Sequence, residues 1–183
     1  FGFGYFVTNL YWISISLTFD QNFKYLIPIT LLIIPAFLSL FYGLVSYLFL
    51  IFKPKKIISS ILFFSLIFGS VEFVRGSILT GFPWNLIVYS FSNQLEILSI
   101  ISIIGTYGFN LFCITLFTCP IIFILRNNKK DLGFLFVFLI LILISYFYGN
   151  NYKKKFYEAE KKNFNYKIRV IGSNISLDRF YSN

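Results

Sequence analysis

The chain has 183 residues, of which 57% are hydrophobic and 13% charged, with a mean hydropathy of +0.77. Soluble domains carry roughly 25% charged residues, so this composition excludes a freestanding soluble domain and points to a chain solvated by lipid. The formal net charge is +9, and most of the basic residues fall in three groups: Lys53, Lys55 and Lys56, then Arg126, Lys129 and Lys130, then eight beyond residue 150. Such charge marks loops and a tail between apolar spans rather than one basic face, which argues against nucleic acid as a partner.

Crossing the hydrocarbon layer takes roughly 20 apolar residues in a helix, and the runs here are apolar all round rather than striped. Residues 1–19 form the first expected span and carry no charge; Phe1-Gly2-Phe3-Gly4 within it reads as a helix-packing surface. Residues 26–52 follow, with Pro28 near the entrance and Pro35 as an expected kink. The third span, 57–79, is uncharged until Glu72 and Arg75. Residues 95–104 are set apart by Gly105-Thr106-Tyr107-Gly108 and read as a helix lying along the membrane surface, with one long tilted helix as the alternative. Residues 106–125 and 132–149 are the fourth and fifth spans.

Cys113 and Cys119 fall inside the fourth span, about 120° apart around a helix of 3.6 residues per turn. They cannot pair within that helix and read as small hydrophobes. Residues 150–166 read as a polar linker, after which Tyr166 to Gly172 alternates like a strand. A lone strand cannot pair its backbone, so 167–183 reads as the beginning of a second domain. With no Met anywhere, the chain is expected to be a piece of a longer reading frame. The expected fold is an all-α polytopic membrane bundle over 1–149, of about five transmembrane helices plus one interfacial helix, then the linker and a first strand.

The basic clusters at 53–56 and 126–130 both follow even-numbered crossings, so they share a side, which the positive-inside rule makes cytoplasmic. Residues 80–96 and everything beyond 150 then face outward. Lys153, Lys154 and Lys155 follow the last span and run against the rule, but a long translocated domain escapes it.

The absence of histidine removes the commonest general base and the usual zinc ligand. No Gly-rich phosphate loop follows a strand, so neither a metal nor a cofactor is expected. Polar chemistry gathers at the outward side. Glu72 and Arg75 lie three apart, on one helix face. They read either as a polar anchor for a lipid headgroup or the following loop, or as a structural ion pair between helices. Thr80-Gly81-Phe82-Pro83-Trp84-Asn85 ends the helix in an irregular turn. Phe82, Trp84 and Tyr89 suit the headgroup level, as membrane anchors or as a lipid-handling surface. Asn93, Gln94 and Glu96 add polarity there, or simply belong to a solvated loop.

Glu72-Phe73-Val74-Arg75-Gly76 followed by Thr80-Gly81-Phe82-Pro83-Trp84-Asn85 resembles the E-x-x-R-G…T-G-F-P-W signature of the apolipoprotein N-acyltransferase family. Tyr89-Ser90 is similar to its following Y-S, and Gly105-Thr106-Tyr107-Gly108 to its G-x-Y-G helix entry. Phe1-Gly2-Phe3-Gly4 through Tyr11-Trp12-Ile13 resembles its earlier G-F-G…W-I span. The strand 168–172 with Asn174-Ile175 then looks like the start of the family's α/β nitrilase-like domain, truncated here. Gly172, Ser176 and Phe180 stand where the family has Gln, Pro and Trp.

The resemblance implies the membrane module of an enzyme of the bacterial inner membrane. Such an enzyme moves an acyl chain from a phospholipid donor to the N-terminal amine of a diacylglyceryl-cysteine lipoprotein acceptor, with membrane lipids around it and no cofactor. The Glu, Lys and Cys that the family uses for catalysis would lie beyond residue 183, so no catalytic residue is assigned in this chain. The substrate or lipid-cleft candidates are Glu72, Arg75, Phe82, Pro83, Trp84 and Tyr89. A non-enzymatic polytopic protein (a small transporter or scaffold) or a decayed gene product is the alternative. A transporter should show internal repeats or paired broken helices, and the sequence shows no convincing repeat.

Overall fold

The structure is a computed structural model that describes residues 1–52, 54–78, 81, 83–125, 131–159 and 169. The regular structure of the described residues is all helical, with no strand among them. Apart from residue 169, the expected strand at 168–172 lies outside them, as do residues 160–166 of the expected linker. The described residues fall into two compact units, one within Phe1–Leu40 and the other Phe41–Ala159.

In the first unit, α1 (Gly2–Leu10) gives way to 3₁₀ turns over Tyr11–Thr18. Ser14, Ser16 and Thr18 each donate to the carbonyl three residues back, on Tyr11, Ile13 and Ile15. These local bonds compete with an α-helical backbone, and the alternating β-branched isoleucines disfavour it further. The expected first span is therefore corrected: residues 1–19 do not form one long helix. Among the described residues Gly4 is not a close-packing point either, since a Cβ there would meet nothing within 4 Å. Asp20 accepts from the Asn22 N–H at 2.8 Å and starts a second 3₁₀ stretch, Gln21–Leu26. From it α2 (Ile27–Phe52) continues straight into regular helix, with Pro28 in its first turn and Pro35 inside it.

Four helices among the described residues are long and apolar enough to cross a membrane: Gln21–Phe52, Ile57–Ser77, Ile101–Leu125 and Asp131–Glu158. At 1.5 Å per residue even the shortest reaches about 31 Å, enough for a hydrocarbon core of about 30 Å. Among the described residues the count is four, against about five expected, because residues 1–19 break up. The protein is a multi-pass helical membrane protein.

The second unit is an antiparallel bundle with its seams written in aromatic pairs. Tyr42–Phe68, Phe49–Phe64 and Phe52–Phe63 join α2 to α3 (Ile57–Ser77), with centroids 4.9, 5.4 and 6.4 Å apart. Buried residues Ile61, Ser65, Phe68, Glu72 and Arg75 recur every three or four positions and make one stripe on α3. At Gly69 a Cβ would sit 3.0 Å from the Leu111 side chain, so α3 approaches α5 (Ile101–Thr118) closely there. Helix α5 continues through a 3₁₀ turn, Cys119–Ile121, into α6 (Ile122–Leu125). Helix α7 (Asp131–Glu158) packs Leu135 into a cluster with Ile61, Cys119 and Ile122. It runs nine residues past the expected end at 149. Ile140, Leu143, Ile144 and Phe147 on α7 are all more than half exposed, surface that only lipid solvates without cost.

Between α3 and α5 the chain makes a 3₁₀ turn, Ile87–Phe91, and the short α4 (Leu95–Leu98). Residues 95–104 are thus not one helix. α4 ends at Leu98, and Gly105 at φ +74° and ψ 165° breaks the helical path a second time. A residue with a side chain rarely takes that φ, which accounts for glycine at the break. Nor is the stretch before α4 a free loop. Leu86 and Val88 are buried against Phe109 and Cys113, and Phe91 stacks on Phe117 at 5.7 Å.

Candidate functional site

Glu72 and Arg75 are at 0% and 2% exposure, not in a wet outer rim. A charge pair so deep in an apolar bundle persists only with hydrogen bonds around it, and four elements supply them. Arg75 Nη2 lies 3.7 Å from Glu72 Oε1, and the Tyr42 hydroxyl of α2 donates to that same oxygen at 3.2 Å. The Asn110 amide of α5 donates to Glu72 Oε2. The other end of Asn110, Oδ1, accepts from the backbone N–H of Val88 at 3.0 Å. Arg75 Nη1 donates to the Trp84 carbonyl at 3.2 Å. One buried cluster thus fastens α2, α3, α5 and the loop after α3.

That loop is built to turn sharply above the cluster. Helix α3 stops as Ile78 leaves helical geometry at φ −90° and ψ 158°, its N–H still held by Val74. Gly81 follows at φ +79°, donating to the Ile78 carbonyl at 2.8 Å, and a Cβ there would sit 2.6 Å from the Gly76 carbonyl oxygen. Asn85 takes φ +59°, which asparagine tolerates better than most residues. Gly76 is needed for contact. A Cβ on it would strike the Tyr107 hydroxyl and lie 3.6 Å from Pro83 Cα. The Tyr107 ring in turn meets Phe73 edge-on at 5.1 Å.

Of the six candidates, the structure gathers Glu72, Arg75 and the backbone of Trp84, with Pro83 against Gly76. Phe82 lies outside the described residues. The Trp84 and Tyr89 side chains face outward, at 53% and 46% exposure, while Val88 beside Tyr89 is anchored by Asn110. Sequence reasoning missed Tyr42 and Asn110. The signal was available, since a tyrosine and an amide inside long apolar runs need partners there. Beside the cluster, a groove of about 360 Å³ runs between α3 and α5, lined by Gly69, Ser70, Phe73, Tyr107, Gly108 and Leu111 among others.

Glu96 is not simply solvated. Its carboxylate accepts from Lys153 of α7 at 2.6 Å, and that ammonium holds the Glu96 carboxyl below its usual pKa range. At Gly149 any Cβ would collide with the Glu96 backbone, so α4 rests directly on α7. Cys113 and Cys119 are buried free thiols in the two apolar clusters. No group of three or more metal-ligating side chains occurs among the described residues.

The fold and the cluster define a class: a multi-pass helical membrane protein with a buried, hydrogen-bonded Glu–Arg pair under a proline-aromatic loop. The family model described as apolipoprotein N-acyltransferase N-terminal domain matches residues 1–119. The chain belongs to the apolipoprotein N-acyltransferase family. It is 38% identical to the apolipoprotein N-acyltransferase of Rhodopseudomonas palustris over 126 residues, 68% of this chain and 23% of that protein. Identity is 35% over 131 residues with that of Rhizobium etli, covering 71% and 24% of the two chains. With that of Rickettsia prowazekii it is 37% over 119 residues, covering 64% and 24%. The chain thus aligns with only about a quarter of the length of these relatives. No solved structure matches it.

Proposed function

We propose that the chain serves as the membrane module of lipoprotein N-acyl transfer, from a phospholipid donor to the N-terminal amine of a diacylglyceryl-cysteine lipoprotein. Both substrates live in the bilayer, so the module's task is to receive and orient lipid beneath a catalytic domain of nitrilase-like type. The carrying observation is the hydrogen bond from Arg75 to the Trp84 carbonyl. It locks the backbone of an aromatic loop to a buried ion pair while the indole stays exposed. Phe82, Pro83, Trp84 and Tyr89 form the floor of the lipid cleft in this reading, braced from beneath by the buried Glu72 and Arg75, and the groove along Gly69 and Gly108 has room for an acyl chain.

The chain's own part is binding and positioning. Cys113 and Cys119 are both fully buried among apolar side chains, so neither serves as the acyl-carrying nucleophile. In this reading the nitrilase-like domain carries the catalytic groups, and residues 1–149 carry none. Residues 1–149 are the membrane domain, 150–166 a connection and 167–183 the start of that catalytic domain. The basic loops at 53–56 and 126–130 are separated by two crossings, so they share a side, and positive-inside makes it the cytoplasm of a bacterial inner membrane. The loop 80–96 and the tail beyond 150 are then periplasmic.

The test is Trp84→Ala, Tyr89→Ala and Arg75→Gln in a complete enzyme carrying this module, assayed for transfer of a labelled acyl chain. Each substitution lowers transfer with protein levels unchanged; undiminished transfer in all three removes the proposed cleft.

A further inference from the structure

At the opposite end of the bundle from the Glu72 cluster, α2, α3 and the α5–α6 helix diverge around a pocket of about 460 Å³. That size falls in the range of roughly 300–1,000 Å³ of small-ligand sites. Its walls are Phe49, Ile57, Phe64, Ile121 and Leu125, with Lys55 at the α2–α3 turn. Among the described residues that line it there is no acidic side chain. The two hydroxyls in the wall are spent internally. Ser60 donates to the Pro54 carbonyl at 2.7 Å, and Thr118 donates to the carbonyls of Ile114 and Thr115. Lys55 makes no ion pair among the described residues, and in sequence it sits within the three-lysine stretch 53–56.

We propose that this pocket binds one anionic glycerophospholipid, with an acyl chain against the apolar wall and its phosphate on Lys55. The physical reasons are three. An apolar recess open at the end of a membrane helix is filled by hydrocarbon, because water gains nothing there. A lysine between spans near the lipid headgroups attracts anionic lipid, as basic pockets between transmembrane helices do. The Ser60–Pro54 bond braces the turn that carries Lys55, which keeps the base of this lysine at the rim of the recess. The site is separate from the Glu72 cluster and needs no acyl transfer, so it stands or falls independently of the function proposed above.

The test is native mass spectrometry of the detergent-purified full chain, incubated with equimolar phosphatidylglycerol and phosphatidylcholine. The chain retains phosphatidylglycerol in preference, and Lys55→Gln lowers that retention about fivefold, the worth of one lysine near a headgroup. Lys154→Gln, an exposed lysine at the other end of the bundle, leaves it unchanged. Thr118→Phe, which fills the recess, lowers retention of both lipids. Equal retention of the two lipids by the unaltered chain overturns the proposal. So does an equal loss in Lys55→Gln and Lys154→Gln, which would mark general surface charge, and so does full retention in Thr118→Phe. Circular dichroism confirms that each variant keeps its helices.

Discussion

Asn110 uses both ends of its amide, donating to Glu72 and accepting from Val88, and so connects a buried carboxylate to the loop backbone. Asn110→Leu keeps the volume and removes both bonds. It should cost about 1–3 kcal/mol for each buried group left unmet, read as a lower midpoint of thermal unfolding in detergent. Glu72→Leu leaves Arg75 buried without its carboxylate and should cost about 3–5 kcal/mol. The double variant Glu72→Leu with Arg75→Leu should recover much of that loss, because no charge remains to be solvated. A double variant no better than the single one would show that the ion pair contributes more than mutual compensation. Gly76→Ala should destabilise by about 1–3 kcal/mol through overpacking, and Tyr107→Phe should relieve it, since the hydroxyl is the atom struck. Glu72, Arg75 and the loop were legible in the sequence because charge and Gly-Pro punctuation are local signals. Tyr42 and Asn110 were harder to see, because their roles depend on which helices meet, and apolar runs do not encode their neighbours.

Among elements, α4 shows how a four-residue helix is held in place. Its backbone rests on Gly149 and its carboxylate on Lys153, so two contacts on α7 replace the hydrogen bonds that four residues cannot supply themselves. Gly149→Val should detach α4, measured as faster amide exchange over residues 95–98. Glu96 has a lowered pKa, so its pairing with Lys153 is complete above the ordinary carboxylate range. The contribution is lost as pH falls through that lowered value. Exchange at 95–98, corrected for its intrinsic pH dependence, should therefore rise on acidification in the unaltered chain. In Glu96→Gln it should start high and change little. Span positions after residue 26 were readable because twenty apolar residues leave few choices. Residues 1–19 misled because composition satisfied the length rule while Ser14, Ser16 and Thr18 redirected the backbone. The extension of α7 to Glu158 also escaped notice. The polar run from Asn150 read as a linker, but the Lys153–Glu96 pair lies a turn beyond Gly149 and holds that turn in register.

For the whole molecule, the antiparallel order of α2, α3, α5 and α7 sets the Lys55 turn and the Trp84 loop at opposite ends of the bundle. The aromatic pairs fix this order, since Phe52 meets Phe63 near one end while Tyr42 reaches Glu72 near the other. Losing the first expected span leaves the alternation intact, because the basic turn at 53–56 and the 126–130 segment are still two crossings apart. The function proposed for the loop requires that it face the side where lipoprotein and catalytic domain meet. Single cysteines at positions 55 and 84, in a chain with Cys113 and Cys119 replaced by alanine, test this most directly. In sealed vesicles a membrane-impermeant maleimide should reach position 84 from the outer face and position 55 only after the vesicles are opened from within. Labelling of both positions from one face would contradict the account.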